Sequence, residues 1–273
     1  MLPDSSNIVI GIGELLWDLL PEGKQLGGAP ANFAYWSTVL GERGVVASRV
    51  GADEPGREAI ECLARAGVDS SQVQLDRLHP TGAVRVEVSA SGQPDFTVAQ
   101  SVAWDFIGWT SEWRELASGA AAVCFGSLAQ RSPASRKTIV RFVDAAAAGA
   151  LIVFDVNLRQ SFHSEEVLVQ SLNRSRVAKL NSSEFPVVMN ELGLSYEGEL
   201  ASARRLIHDF DLELVCVTRA DRGSLLVTDT DSVEHLGFKV DVVDTVGAGD
   251  AFTAALVHHY LRGASLETIS EAG

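Results

Sequence analysis

The 273-residue sequence has few basic residues. It contains 22 Lys and Arg against 36 Asp and Glu, which gives a formal net charge of −14. A surface of this sign repels phosphate backbones, so nucleic acid is not an expected partner. The net charge does not exclude a single bound nucleotide, because a local pocket can differ in charge from the whole surface.

Cysteine is also scarce, and Cys62, Cys124 and Cys216 lie far apart in the sequence. An odd number of widely spaced cysteines gives no disulfide framework and is typical of a reducing compartment. No apolar run approaches the length of a membrane span, and the first residues do not form a signal peptide. These absences predict a cytoplasmic protein that has no membrane partner.

The remaining composition is that of a soluble globular protein, with 46% hydrophobic and 21% charged residues. Short apolar runs alternate with stretches of helical apolar spacing. This alternation predicts an α/β fold, in which a mostly parallel central sheet has helices on both faces. The predicted strands are 7–13, 44–50, 121–125, 151–155, 177–180, 214–218 and 224–228, and the predicted helices include 31–40, 57–66, 133–148 and 200–210.

Residues 72–105 interrupt the alternation with three short predicted strands, at 72–75, 83–88 and 95–98. Polar residues alternate with valines in the second of them, which indicates a sheet with one polar face. We therefore expect a single catalytic domain over residues 1–273, with a small β-sheet lid formed roughly by 14–26 and 72–105.

The most informative segment is Asp-Thr-Val-Gly-Ala-Gly-Asp at residues 244–250, which precedes a helical apolar pattern. The N–H groups of Gly247, Ala248 and Gly249 can converge there, and a helix start favours negative charge. Such a turn can hold a phosphate or a developing anion. Asp250 could accept a proton from a substrate hydroxyl. Alternatively, Asp250 is an ordinary helix N-cap, which better explains a Gly-x-Gly-Asp run taken alone.

Further polar residues follow the predicted strands, at the edge where open α/β sheets bind ligands. Each of these clusters has an alternative explanation as a turn or a helix cap. Together they place carboxylates, amides and an anion-binding turn along one edge, which a purely structural role does not require. The clusters contain Asp18, the segment 27–32, Asp155, Asn157 and Arg159, and Asn181 with Glu184.

These motifs resemble those of the ribokinase-like carbohydrate kinases. Gly-Gly-Ala-Pro-Ala-Asn-Phe-Ala at 27–34 is similar to the amino-terminal glycine motif of the family, and 244–252 is similar to its carboxyl-terminal signature. The similarity runs from Ile8 to about Ala264. Segments at 13–18, 81–88, 94–98, 103–105 and 154–159 resemble the fructokinase branch.

The resemblance implies a role for each matching residue. Asp250 would be the catalytic base, and the backbone N–H groups of Gly247, Ala248 and Gly249 would form the anion hole for the transferred phosphoryl group. The sugar would be bound by residues from three segments, namely Asp18, Gly28, Asn32, Asn157 and Arg159.

The resemblance also implies cofactors. Asn181, Glu184, Thr218 and Gly223 would bind ATP, with Glu184 organising Mg²⁺ indirectly. Asp244 and the carbonyl of Val246 would form part of a K⁺ site, whose other part lies in a further helix and loop that family members usually carry beyond the position of Gly273. That extension also supplies part of their adenine wall.

One residue departs from the family pattern. Ala220 stands where the nucleotide loop normally has its first glycine. Alanine fits that loop readily only at negative φ, so we expect an altered turn.

The resemblance implies an ATP-dependent sugar kinase, with fructose converted to fructose 6-phosphate as the first expectation. The same family leaves 2-keto-3-deoxygluconate kinase, ribokinase and nucleoside kinase open. An alternative of another class is a catalytically silent sugar- or nucleotide-binding protein on the same fold. The implied partners are a small-molecule sugar and ATP, with a homodimer through the lid as a further expectation.

Overall fold

The structure is a computed structural model that describes residues 7–20, 23–88, 94–239 and 246–273. The strands of this part are Ile8–Ile12 (β1), Leu16–Leu20 (β2), Gly23–Gly27 (β3), Arg43–Gly51 (β4), Val73–Asp76 (β5), Gly82–Val88 (β6), Pro94–Val98 (β7), Ala122–Phe125 (β8), Leu151–Asp155 (β9), Val177–Asn181 (β10), Leu214–Thr218 (β11), Ser224–Val227 (β12) and Ser232–His235 (β13). The α-helices are Ala29–Val39 (α1), Glu54–Arg65 (α2), Ser111–Ser118 (α3), Pro133–Asp144 (α4), Glu165–Leu172 (α5), Glu184–Glu191 (α6), Glu199–Phe210 (α7), Ala248–Tyr260 (α8) and Leu266–Ala272 (α9).

The larger sheet has the strand order β13-β12-β11-β10-β9-β8-β1-β4-β5. The pairs from β11 to β5 are parallel, and β12 and β13 are antiparallel additions at one edge. This topology confirms the predicted α/β fold. Because the strands are parallel, the carboxyl ends of β1, β9, β10 and β11 meet at one edge of the sheet.

Helices cover both faces of this sheet, so its central strands are apolar throughout. On one face, Phe33 of α1 and Leu256 of α8 pack against Val9, Val153 and Val177. The opposite face packs against α3, α4, α5, α6 and α7. Full burial of one such aliphatic side chain contributes roughly 1.5–3 kcal/mol. The packing of α1 beside α8 brings the amino-terminal ends of both helices to the same sheet edge.

The second sheet has the order β3-β2-β6-β7. Its β2–β6 pair is parallel, and its β2–β3 and β6–β7 pairs are antiparallel. Trp17 of β2 donates from Nε1 to the carbonyl of Pro55 at 2.9 Å, which fixes this sheet against α2. The function of the small sheet as a lid stays a prediction.

Two expectations about local structure are wrong. The strand β5 pairs with β4 in the larger sheet, so residues 73–76 do not belong to the small sheet. The helix predicted at 57–66 begins three residues earlier, because the Asp53 carboxylate accepts the Gly56 N–H at 2.9 Å and starts α2 at Glu54. No helix in the described part of the chain is both long and apolar enough to cross a bilayer.

Candidate active site

The two glycine-containing motifs meet at the carboxyl edge of the larger sheet. Asn32, in the first turn of α1, donates from Nδ2 to Oδ2 of Asp250, in the first turn of α8, at 2.8 Å. The two residues are 218 positions apart in the sequence. This hydrogen bond orients the Asp250 carboxylate.

The environment of Asp250 sets its acidity. Burial raises the pKa of its carboxyl to about 6, and the Asp155 carboxylate adds to the rise, while Asn32, Lys179 and Arg159 oppose it. At neutral pH the group is therefore ionised, yet far more basic than an exposed aspartate. A carboxylate tuned in this way is suited to accept a proton from a hydroxyl group.

The turn before Asp250 provides backbone donors. Gly247 is the N-cap of α8 and has a left-handed φ of 74°, after which Ala248 and Gly249 begin the helix. The first N–H groups of a helix have no acceptor within it, and the helix dipole adds positive potential at this end. The arrangement can hold an anion next to the Asp250 carboxylate.

Asp18 and Arg159 of the predicted sugar site are linked to this carboxylate through the charge of Arg159. Asp18 lies on β2 with its carboxylate against Gly27 at the end of β3, since a Cβ added to Gly27 would be 2.2 Å from its Oδ2. Burial raises the pKa of Asp18, and Arg159 counteracts that rise. Arg159 is exposed and also lowers the pKa of Asp250, so its guanidinium lies on the side of the pocket shared by these two carboxylates.

The remaining residues of the sugar site are held by unusual backbone conformations. Gly28 has a φ of 112°, and a Cβ there would lie 2.5 Å from the Glu14 carbonyl oxygen, so only glycine fits. Asn157 has a φ of 42°, a left-handed conformation that costs about 1–3 kcal/mol in residues other than glycine. Such strain is typical of loops that position ligand contacts.

Glu14 is a site residue that the sequence reasoning missed. Its side chain is buried and accepts a hydrogen bond from the backbone of Ala29, and its Oε2 has no hydrogen-bond partner in the described part of the chain. Burial raises the pKa of Glu14 to about 7, with a further contribution from Asp250. A charged residue inside the run Gly-Glu-Leu-Leu, between two strands, was the available signal.

Asn181 and Glu184 form a reciprocal cap at the end of β10. Asn181 Oδ1 accepts the Glu184 N–H at 2.9 Å, and Glu184 Oε2 accepts the Asn181 N–H at 2.8 Å. The other oxygen, Oε1, accepts the Leu158 N–H at 2.8 Å. The carboxylate of Glu184 therefore connects the loop after β9 to the turn after β10, in agreement with the capping interpretation of this motif.

The predicted nucleotide loop follows β11, beside that turn. The Thr218 carbonyl accepts the Ser182 N–H at 2.9 Å, and the Arg219 N–H donates to the Gly223 carbonyl at 2.8 Å. Ala220 has a φ of 54° and Gly223 a φ of 81°. The expectation that alanine needs negative φ here is wrong, because Ala220 adopts the left-handed conformation at a cost of roughly 1–2 kcal/mol.

Only one of the two predicted K⁺ ligands lies within the described residues. Val246 is exposed at the start of the α8 turn. Asp244 lies outside the described residues, so the K⁺ site stays a prediction.

Lys179 is the second residue that the sequence reasoning missed. It lies on β10 with 8% of its side chain exposed, and its ammonium pairs with Asp155 at the end of β9. A lysine inside the apolar run Val-Ala-Lys-Leu was the available signal, because a buried charge requires a partner.

Comparison with known proteins shows similarity to carbohydrate kinases in both sequence and structure. A model of the pfkB family of carbohydrate kinases matches residues 22–273. A sugar kinase of Pyrococcus horikoshii with uncharacterised activity is 30% identical over 94% of this chain and 84% of its own. Its structure in complex with ATP has a TM-score of 0.80 to this chain and aligns over 97% of this chain and 89% of its own.

Two fructokinases are similar to this chain. The fructokinase of Salmonella typhimurium is 31% identical over 90% of this chain and 82% of its own. The fructokinase of Vibrio cholerae O395, solved with fructose, ADP and a calcium ion, has a TM-score of 0.78 at 25% identity, over 98% of this chain and 89% of its own.

Proposed function

The chain belongs to the pfkB family of carbohydrate kinases, and from this premise we propose that it transfers the γ-phosphate of ATP to the 6-hydroxyl of fructose. The observation that carries the proposal is the Asn32–Asp250 hydrogen bond at the start of α8. It holds a carboxylate with a raised pKa beside the backbone donors of a helix start.

In the proposed reaction, Asp250 accepts the proton of the sugar hydroxyl while the oxygen of that hydroxyl attacks the γ-phosphorus. A new oxygen–phosphorus bond forms, the bond between the γ-phosphorus and its bridging oxygen breaks, and ADP leaves. The N–H groups of Gly247, Ala248 and Gly249 stabilise the charge on the transferred group. Asp18, Gly28 and Asn32 orient the sugar, so that the attacking oxygen starts close to the phosphorus.

We place ATP and Mg²⁺ beside the loop after β11. A cavity of about 670 Å³ borders this loop, and its lining contains two arginines and three acidic residues, namely Arg219, Arg222, Glu199, Asp221 and Glu234. Two of the acidic residues, Glu199 and Glu234, pair with Arg219. Each Glu184 oxygen accepts one backbone N–H and keeps a lone pair that can bind a water of hydrated Mg²⁺. When bound, Mg²⁺ neutralises charge on the β- and γ-phosphates. Glu184, Asn181 and Thr218 would position this end.

Fructose is proposed because fructokinases recur among the similar proteins, one of them solved with fructose and ADP. A second candidate is 2-keto-3-deoxygluconate, because the exposed guanidinium of Arg159 could pair with a substrate carboxylate. A catalytically silent protein is disfavoured by the Asn32–Asp250 hydrogen bond, which holds the proposed base at the start of α8. We also propose that the small sheet closes over the sugar as a lid within a single catalytic domain.

A coupled assay of ADP release tests the proposal with fructose, ribose, 2-keto-3-deoxygluconate and a nucleoside, each at several concentrations. Fructose should give the highest kcat/KM, with little ADP release when sugar is absent. A preference for another sugar would refute fructose as the substrate but would still support a sugar kinase activity. No sugar-dependent ADP release from a protein that binds ATP and fructose in calorimetry would support the silent alternative.

A further inference from the structure

A buried ion pair lies under the first turn of α8. Lys179 and Asp155 are directly opposite each other on the neighbouring strands β10 and β9. Towards the other end of the sheet, the same face continues with Val177 and Val153, which pack under α8. Two charges in an otherwise apolar face are costly to bury, and they are tolerated only when they are paired.

The pair is hydrogen-bonded internally and attached to α8. Lys179 Nζ lies 3.1 Å from each oxygen of Asp155, and the two side chains are 8% and 5% exposed. Thr253, which is completely buried on α8, donates its hydroxyl to Asp155 Oδ2 at 2.8 Å. Asp155 therefore fixes both the ammonium below and the helix above.

The ammonium lies next to the backbone of the proposed anion hole. A Cβ added to Gly249 would lie 2.9 Å from Lys179 Nζ, so a residue with a side chain at position 249 would collide with the ammonium. This contact places a buried positive charge directly beneath the turn that precedes Asp250.

The surrounding charges define what the ammonium does. Burial alone would lower the pKa of Lys179, but the carboxylates of Asp155, Asp250 and Glu184 outweigh burial and raise it. Lys179 in turn lowers the pKa values of Asp250 and Glu184. Among the described residues, the other titratable or charged groups that face this cluster are Glu14, Arg159, Cys124 and Cys216. Burial raises the pKa values of both thiols, so they stay neutral.

We propose that Lys179 is a positioning residue for phosphoryl transfer, which together with Asp155 and Thr253 fixes the first turn of α8 and places a permanent positive charge beneath the anion hole. This inference rests on the proposed function. The ammonium does not touch the transferred group. It acts through the backbone of Gly249 and through the charge state of Asp250.

Lys179→Met, Asp155→Asn and the double variant test this inference. Each single change leaves one buried partner without its counterpart and can destabilise the protein, whereas the double variant removes both charges and is expected to fold. The double variant should melt cooperatively and lose at least about tenfold in kcat, while the KM for the sugar changes less than about twofold.

The pH dependence of kcat separates positioning from a structural role. Lys179 lowers the pKa of Asp250 and Asp155 raises it, so the acidic limb should move to higher pH in Lys179→Met and to lower pH in Asp155→Asn. The matched control is Glu42→Gln with Arg262→Met, which removes an ion pair at the far end of α8 and should leave kcat and the acidic limb unchanged.

The inference is overturned if the folded double variant keeps kcat within about threefold of the parent, or if neither single variant moves the acidic limb. The activity of the parent protein distinguishes a failure of this inference from a failure of the proposed function. A parent without sugar-dependent ADP release refutes both, whereas an active parent with unaffected variants refutes only the role of Lys179.

Discussion

Asp250→Asn should separate catalysis from folding. Asparagine keeps the size of the side chain, and its oxygen can still accept the hydrogen bond from Asn32 that now reaches Asp250 at 2.8 Å. It cannot accept the proton of the sugar hydroxyl. We expect a folded protein that still binds sugar and ATP and loses at least about a hundredfold in kcat, because general-base catalysis is typically worth about 10²–10⁴ in rate.

The same change should stabilise the protein at neutral pH. Burial raises the pKa of Asp250 from 3.8 to about 6, and this rise corresponds to about 3 kcal/mol of unfavourable free energy for the ionised form. This rise is the net of all interactions of the ionised form, so the helix start is already included in it. The free energy of unfolding should therefore increase by up to about 3 kcal/mol at neutral pH, which corresponds to a melting temperature about 6–12 °C higher for a chain of this size.

The gain has a defined pH dependence. The folded pKa of Asp250 lies above its unfolded value, so the parent loses stability as the pH rises from 3.8 to about 6. The variant has no group to ionise there and keeps its stability. The two proteins should melt at similar temperatures near about pH 4 and diverge up to about pH 6, with a constant difference above.

Steady-state kinetics and thermal melting from pH 4 to pH 8 measure both effects, with calorimetry as the control for ligand binding. A kcat within about tenfold of the parent would show that Asp250 is not the base. A variant that melts at or below the parent temperature at pH 7 would show that the carboxylate is not desolvated. Either result refutes the reasoning for that half of the prediction.

Three further changes test other features of the site. Ala220→Gly should raise the free energy of unfolding, measured in urea, by about 0.5–1 kcal/mol. Glycine removes the strain of the left-handed conformation, and its greater entropy in the unfolded chain offsets part of that gain. A variant less stable than the parent would show that Ala220 is not strained. Glu14→Gln should raise the melting temperature above pH 7 but not near pH 4.5. Burial raises the pKa of Glu14 from 4.5 to about 7, so the parent loses stability as the pH rises through this range. Equal melting temperatures of variant and parent at all pH values would show that the Glu14 carboxylate is not buried. Asp18→Ala should raise the KM for the sugar at least about tenfold through lost hydroxyl hydrogen bonds, with little change in the KM for ATP; an equal rise in both would place Asp18 outside the sugar site.

Some of the fold follows directly from the sequence. The bounds of β9 and β11 were predicted to the residue, because each is a short apolar run that ends at a polar side chain. By contrast, β13 was missed. Its residues, Ser-Val-Glu-His, are half-exposed or exposed at the sheet edge, and only their pairing with β12 makes them a strand. Edge strands lack the burial pattern on which sequence reasoning depends.

The candidate site also contains features that the local sequence predicts and features that depend on contacts between distant residues. The glycine motifs and Asp250 stand out locally because turn residues and a helix start are contiguous in sequence. The hydrogen bond from Asn32 depends on the packing of α1 beside α8, and no spacing along the chain encodes that packing. Lys179 was missed because its partner, Asp155, lies on another strand, and the sequence alone does not show which residue pairs with this lysine.

The cap at Glu184 has a consequence for how two ligands would bind. One carboxylate holds the Leu158 N–H in the loop on the sugar side and the Asn181 N–H in the turn on the nucleotide side. If either loop settles around its ligand, the shared carboxylate restrains the other. We therefore expect positive cooperativity between sugar and nucleotide, and thermodynamic linkage requires each to raise the affinity of the other by the same factor. Calorimetric titrations with sugar and a non-hydrolysable ATP analogue, added in both orders, would measure that factor. A factor of one would mean that the two loops order independently.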